Sequence, residues 1–116
     1  MWLDRDRTLI LDRNRDTWQL PLVDCSGDYV GQVVGQIVEP KACMVRYFLV
    51  YDPESERRFP LPSDLVVQIG DEIHCQISPQ QIARLPEYKQ QLEREHEILI
   101  YQIIDRIPYW EESLQP

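Results

Sequence analysis

Leu22-Val23-Asp24-Cys25-Ser26-Gly27-Asp28-Tyr29-Val30-Gly31-Gln32-Val33 decides how the chain is read, because an apolar pair enters a turn sequence and an apolar alternation leaves it. Gly27 supplies the residue at which a tight hairpin needs positive φ, a conformation that side chains bearing a Cβ resist. Working outward from that hairpin, β-branched and aromatic residues recur in short runs, and strands are expected at 17–24, 29–39, 44–51, 57–61, 65–68 and 72–77. Asp52-Pro53-Glu54-Ser55-Glu56 and Gly70-Asp71 read as further turns, with Pro53 presetting φ. Six short strands with no room for crossover helices predict a mainly β, antiparallel domain. Closure into a small barrel is expected because it removes exposed edges.

The flanks differ in composition. Residues 1–16 set four Asp against four Arg around Thr8-Leu9-Ile10-Leu11, which reads as a charged arm or an edge strand. At Ser78-Pro79-Gln80-Gln81 an N-cap hydroxyl, a proline at the first helical position and a glutamine at the third make the layout of a capping box. Pro86 interrupts or kinks the helix that begins there. Beyond it Tyr88, Leu92, His96, Leu99, Ile103 and Ile107 recur every three or four residues, as along one face of a long helix. The run 98–104 is apolar all round and fits either an enclosed helix or a strand; helix is the reading adopted. The organisation expected is an arm over 1–16, a barrel-like domain over 17–88 and a helical extension over 89–116.

The 116 residues suffice for one domain with its own core, without metal or disulfide staples. Twelve Lys plus Arg against twenty Asp plus Glu give a net charge of −8, a field that repels phosphate and argues against direct nucleic-acid binding. No apolar run is long enough for a membrane span, and the first residues lack a signal-peptide layout, so the expected compartment is the cytoplasm, with peripheral association to a membrane complex still open. Cys25, Cys43 and Cys75 are odd in number and far apart, unlike a zinc site or a redox pair.

Catalytic candidates are few. His74 and Cys75 are neighbours on an expected strand and so point to opposite faces, which excludes a dyad between them. His96 reads as a packed histidine with one hydrogen-bonded nitrogen. Gly31 and Gly35 lie in strand-like sequence without the lysine and following helix of a phosphate-binding loop. Arg57-Arg58 beside Phe59 suggests RNA contact with an aromatic stacker, or more simply a hairpin laced by Glu54 and Glu56. No catalytic, cofactor or metal residue is assigned, and no enzymatic activity is expected.

The hairpin quoted above resembles the opening of PRC-barrel domains, where an apolar strand leads into a D-x-x-G turn and then an apolar-Gly-x-Val step. The resemblance continues in order through Val45-Arg46-Tyr47-Phe48-Leu49-Val50, Phe59-Pro60-Leu61-Pro62-Ser63-Asp64-Leu65-Val66, and Ile77-Ser78-Pro79-Gln80-Gln81-Ile82-Ala83-Arg84-Leu85-Pro86-Glu87-Tyr88. It implies a compact PRC-type barrel used for protein interaction, as in the photosynthetic reaction centre H subunit and the C-terminal part of ribosome maturation factors. The H subunit's transmembrane helix and the maturation factor's N-terminal barrel have no counterpart in this sequence. The expectation is a non-enzymatic adaptor in assembly or regulation of a photosynthetic complex, with a ribosome-assembly or RNA-processing accessory factor as the alternative.

Large side chains outside a barrel core need a partner, so Trp2, Trp18, Ile98, Ile100, Tyr101, Ile104 and Trp110 are the expected protein contacts. Pairing of two copies through 98–110 would cover them as a homodimer; the arm folding back over them is the alternative.

Overall fold

The computed structural model describes residues 10–12 and 17–112, and they form a mainly β domain with three short helices. The strands are β1 (Ile10–Asp12), β2 (Pro21–Val23), β3 (Tyr29–Glu39), β4 (Met44–Asp52), β5 (Arg57–Pro62), β6 (Val66–Ile69) and β7 (Ile73–Cys75). The helices are α1 (Pro79–Arg84), α2 (Arg94–Ile104) and α3 (Tyr109–Glu112). Trp2 and most of the arm lie outside the described residues.

The β2–β3 turn forms as its sequence requires. Asp24 Oδ1 accepts the backbone N–H of Ser26 at 2.8 Å and of Asp28 at 3.1 Å, and Gly27 sits at φ 86°. The β4–β5 turn is closed in the same way by Asp52, which accepts from the Glu54 N–H and the Ser55 hydroxyl, while Glu56 takes the left-handed φ of 56°.

Six strands lie in the order β5-β4-β3-β2-β7-β6, and β1 pairs with the far half of β3, Ile10 opposite Val38. Two expectations fail here. The sheet is mixed rather than antiparallel, because β2 and β7 run parallel, Leu22 beside Ile73 and Val23 beside His74. No crossover helix is needed, since the strands from β3 to β6 themselves form the long connection a parallel pair demands. Nor does the path close into a barrel: among the described residues no pairing joins β5 to β6.

The reason lies in β5. The carbonyl of Arg58 points away from β4 and accepts the Tyr88 N–H at 2.7 Å, so the backbone of 58, 60 and 62 faces the outer edge. Two of those three residues are prolines, which have no N–H to offer another strand. Arg57 seals the same edge by donating from Nη2 to the Leu85 carbonyl at 2.6 Å.

Both faces of the middle of β4 are covered, Tyr47 through Val50 all being buried in succession. The core joins Tyr47, Phe48 and Val50 to Leu22, Val33, Phe59, Leu61 and Ile73 from the sheet, to Ile77 just beyond β7, and to Ile100, Tyr101, Ile103 and Ile104 from α2. α1 carries the capping box, Ser78 Oγ accepting from Gln81 N and Gln81 Oε1 from Ser78 N, with Pro79 at its start. It ends before Pro86, at an extended Leu85.

Helix is the state of 98–104, but the long helix expected after Tyr88 starts only at Arg94. Its buried positions are Glu97, Ile100, Tyr101, Ile103 and Ile104, whereas Leu99 and Ile107 of the expected face are exposed. The predicted phase came from Tyr88 and Leu92, which stand in non-helical chain and carry no helical register. Among the described residues no helix is long and apolar enough to cross a membrane.

Candidate functional site

The structure divides the expected contact residues. Trp18 and Ile98 are exposed, by 43% and 44%. Ile100, Tyr101 and Ile104 are instead core positions, covered by the sheet of their own chain, so three of the side chains expected to need a partner are already buried without one. Trp110 is half-buried, edge-on to Tyr101 and Tyr109, with the Arg94 guanidinium 3.8 Å above its ring.

The most polar constellation is internal. Glu97 has no exposed surface, and its Oε1 accepts the Tyr47 hydroxyl at 2.6 Å and the Tyr109 hydroxyl at 2.7 Å. Arg94 lies 3.9 Å from Oε2, and the Arg46 guanidinium stands 4.1 Å above the Tyr109 ring while pairing with Glu39. Burial, and then the Glu97 charge, push the Tyr47 phenol well above its usual pKa. Burial and then Asp64, which accepts the Tyr101 hydroxyl at 3.1 Å, act on Tyr101 in the same direction. A carboxylate enclosed in this way has no surface on which a substrate could meet it; its geometry ties α2 and α3 to β4.

The histidines and cysteines do not converge. His74 is exposed 3.5 Å from Glu72, and its neighbour Cys75 is buried on the opposite face. His96 caps α2, its Nδ1 accepting the Glu93 N–H at 3.4 Å. Among the described residues no group of His, Cys, Asp and Glu could hold a metal ion.

Outside the core, side chains meet around Trp18. A cavity of about 270 Å³ is lined by Trp18, Val34, Tyr51 and Arg58. Tyr51 and Arg58 are directly opposite on β4 and β5, and Val34 stands at an irregularity of β3 between Val33 and Gly35. Trp18 is held there by its neighbours. Thr17 is buried, with Oγ1 accepting Gln36 Nε2 at 2.5 Å and its carbonyl accepting the Leu20 N–H at 3.1 Å. Gln19 takes φ 68° and donates to the Val33 carbonyl at 2.7 Å. A non-glycine residue in that conformation persists only where its surroundings fix it. The expected strand over 17–24 is thereby shortened to Pro21–Val23, and the indole is presented outward from a fixed turn.

The expected basic spot is also reordered. Phe59 is 1% exposed and so cannot stack on a base, and Arg57 is engaged with the Leu85 carbonyl. Among the described residues neither arginine pairs with Glu54 or Glu56, so the laced hairpin does not form. Arg58 alone is presented to solvent, beside Tyr51 and Trp18 rather than Phe59.

No protein-family model matches the chain, and no curated protein matches it.

Proposed function

We propose that the chain is a non-enzymatic protein-interaction module, an adaptor whose contact surface centres on Trp18. One observation carries this reading: a large aromatic side chain is kept 43% exposed by a turn that is anchored on a buried threonine and strained at Gln19. Exposed tryptophan on a rigid support is what interface hot spots are made of, since little side-chain freedom remains to be lost on binding. Ile98 and Leu99, adjacent and exposed on α2, are a second apolar spot for contact, including contact with another copy of the chain.

The setting we assign is the assembly or regulation of a photosynthetic complex, and its support is the ordered set of PRC-type motifs between residues 22 and 88. The strand path supports a mainly β architecture.

Placing a photo-crosslinking amino acid at position 18, at position 98 and, as a control, at exposed Gln102 tests the module in its native cells. A discrete protein adduct from 18, or from 18 and 98, is expected. Labelling no stronger than at 102 would remove the reading.

A further inference from the structure

We propose that the cavity between Trp18 and Arg58 takes an extended, proline-bearing segment of a protein partner, with a carboxylate of that segment against the Arg58 guanidinium. This rests on the interaction-module reading and gives it a partner chemistry.

The position of the cavity limits how a partner can be held. Its walls belong to the face of β3, β4 and β5; β3 and β4 are paired on both sides, and the outward carbonyl of Arg58 is taken by Tyr88. Strand addition needs free backbone groups, so recognition here falls to side chains. Size limits it further. About 270 Å³ accommodates one or two ring-sized groups. An amphipathic helix, by contrast, reads a groove through anchors at i, i+3 or i+4, and i+7, spread over about 10 Å at 1.5 Å per residue. A polyproline-type segment is extended beforehand, has no internal hydrogen bonds to break, and lays its rings on aromatic walls of the kind that Trp18 and Tyr51 make.

Charge then selects the flank. Among the described residues the Arg58 side chain makes no ion pair or hydrogen bond, and no carboxylate lines the cavity. A partner carboxylate would complete it. Bases could also stack on Trp18 and Tyr51, but a nucleic-acid strand brings a phosphate with every base to a chain of net charge −8. A single carboxylate in contact with Arg58 is a short-range interaction, and the remaining field is screened beyond about 8 Å at physiological salt. The observations therefore favour a peptide.

The test uses the full chain labelled with ¹⁵N at its three tryptophans, the Trp18 indole signal being assigned with a Trp18→Phe variant. Three probes are titrated: a proline-rich synthetic peptide flanked by glutamates, the same peptide flanked by lysines, and oligouridylate. The glutamate peptide is expected to move the Trp18 signal saturably with a Kd below about 1 mM, and the lysine peptide to bind about tenfold more weakly. Arg58→Glu should reverse that order with the melting temperature unchanged. Absence of a saturable shift with either peptide, equal affinities that Arg58→Glu leaves alone, or tighter binding of oligouridylate would each overturn the proposal. If the peptides fail while crosslinking from position 18 still yields an adduct, the partner chemistry falls and the module stands. If both fail, the module falls too.

Discussion

Tyr47 of β4 and Glu97 of α2, fifty positions apart in the chain, meet at 2.6 Å inside the protein, and the same carboxylate oxygen accepts the Tyr109 hydroxyl at 2.7 Å. A buried carboxylate is tolerated only when donors replace its water. Here those donors come from the sheet and from α3, so the cost of burying Glu97 is offset by contacts that also fix where both C-terminal helices dock.

Removing the acceptor should therefore hurt more than removing one donor. Glu97→Ala leaves two buried hydroxyls without their partner and opens a cavity, and a loss of about 3 kcal/mol or more is expected. Tyr47→Phe removes one charge-assisted hydrogen bond, worth about 1.5–3 kcal/mol. Urea unfolding of the two variants measures both. A Glu97→Ala protein as stable as the parent would show that the carboxylate does not tether α2.

Alkaline pH should weaken the same region. Burial raises the pKa of Tyr47 and Tyr101 above the ordinary value of 10.0 in the folded chain, so between that value and the raised one the folded state holds protons that the unfolded state has released. Stability is then fully present below pH 10 and falls as pH rises above it, by up to about 1.4 kcal/mol per pH unit for each tyrosine. Melting temperatures from pH 8 to 11 check the sign. With Tyr47→Phe the decline should be shallower, because one of the linked protons is gone.

Gly31 should resist alanine and Gly70 should tolerate it. A Cβ at Gly31 would collide with the Tyr51 backbone carbonyl, bringing it to 2.9 Å from the carbonyl carbon, whereas at Gly70 it would meet nothing within 4 Å. Gly31→Ala must push β3 off β4 and should cost roughly 1–3 kcal/mol, while Gly70→Ala should stay within about 0.5 kcal/mol of the parent. Thermal melts of the two variants provide the comparison.

These contacts show why some features were legible in the sequence and others were not. The turn at Asp24–Asp28 and the cap at Ser78 depend on residues within four positions of one another, and both form as read. The burial of Glu97 depends on Tyr47, far outside any local window. The parallel β2–β7 pair likewise brings together segments about fifty residues apart. The buried face of α2 does not follow from the spacing of Tyr88 and Leu92, because the chain is not helical before Arg94 and carries no register across that segment. At the surface, Arg58 and Phe59 are adjacent in the sequence, yet successive strand residues point to opposite faces. Its actual neighbour Tyr51 follows only once the β4–β5 register is known.

Thiol chemistry offers an independent check on burial. Cys75 is buried and its pKa is pushed up to about 12, while Cys25 and Cys43 are exposed. Thiolate is the reactive form, so at pH 8 two thiols should react rapidly with a disulfide reagent and the third should lag by about a hundredfold or more. All three should react at once in denaturant. Equal rates for all three in the native protein would contradict the burial of Cys75 on β7, the strand between β2 and β6.

The last expectation separates the two kinds of isoleucine on α2. Ile98 and Ile104 look equivalent in an all-apolar run, but Ile104 is 6% exposed inside the core and Ile98 is 44% exposed. Ile104→Glu places a carboxylate among Ile100, Tyr101 and Ile103 with no donor to replace its water, and should abolish cooperative folding. Ile98→Glu puts the same charge in solvent and should leave the melt within about 0.5 kcal/mol of the parent. Circular dichroism of both variants reads the folding, and light scattering of the folded one reads association. A fall in mass for Ile98→Glu relative to the parent would identify Ile98 as part of a contact between copies; an unchanged mass would leave Trp18 as the centre of the contact surface.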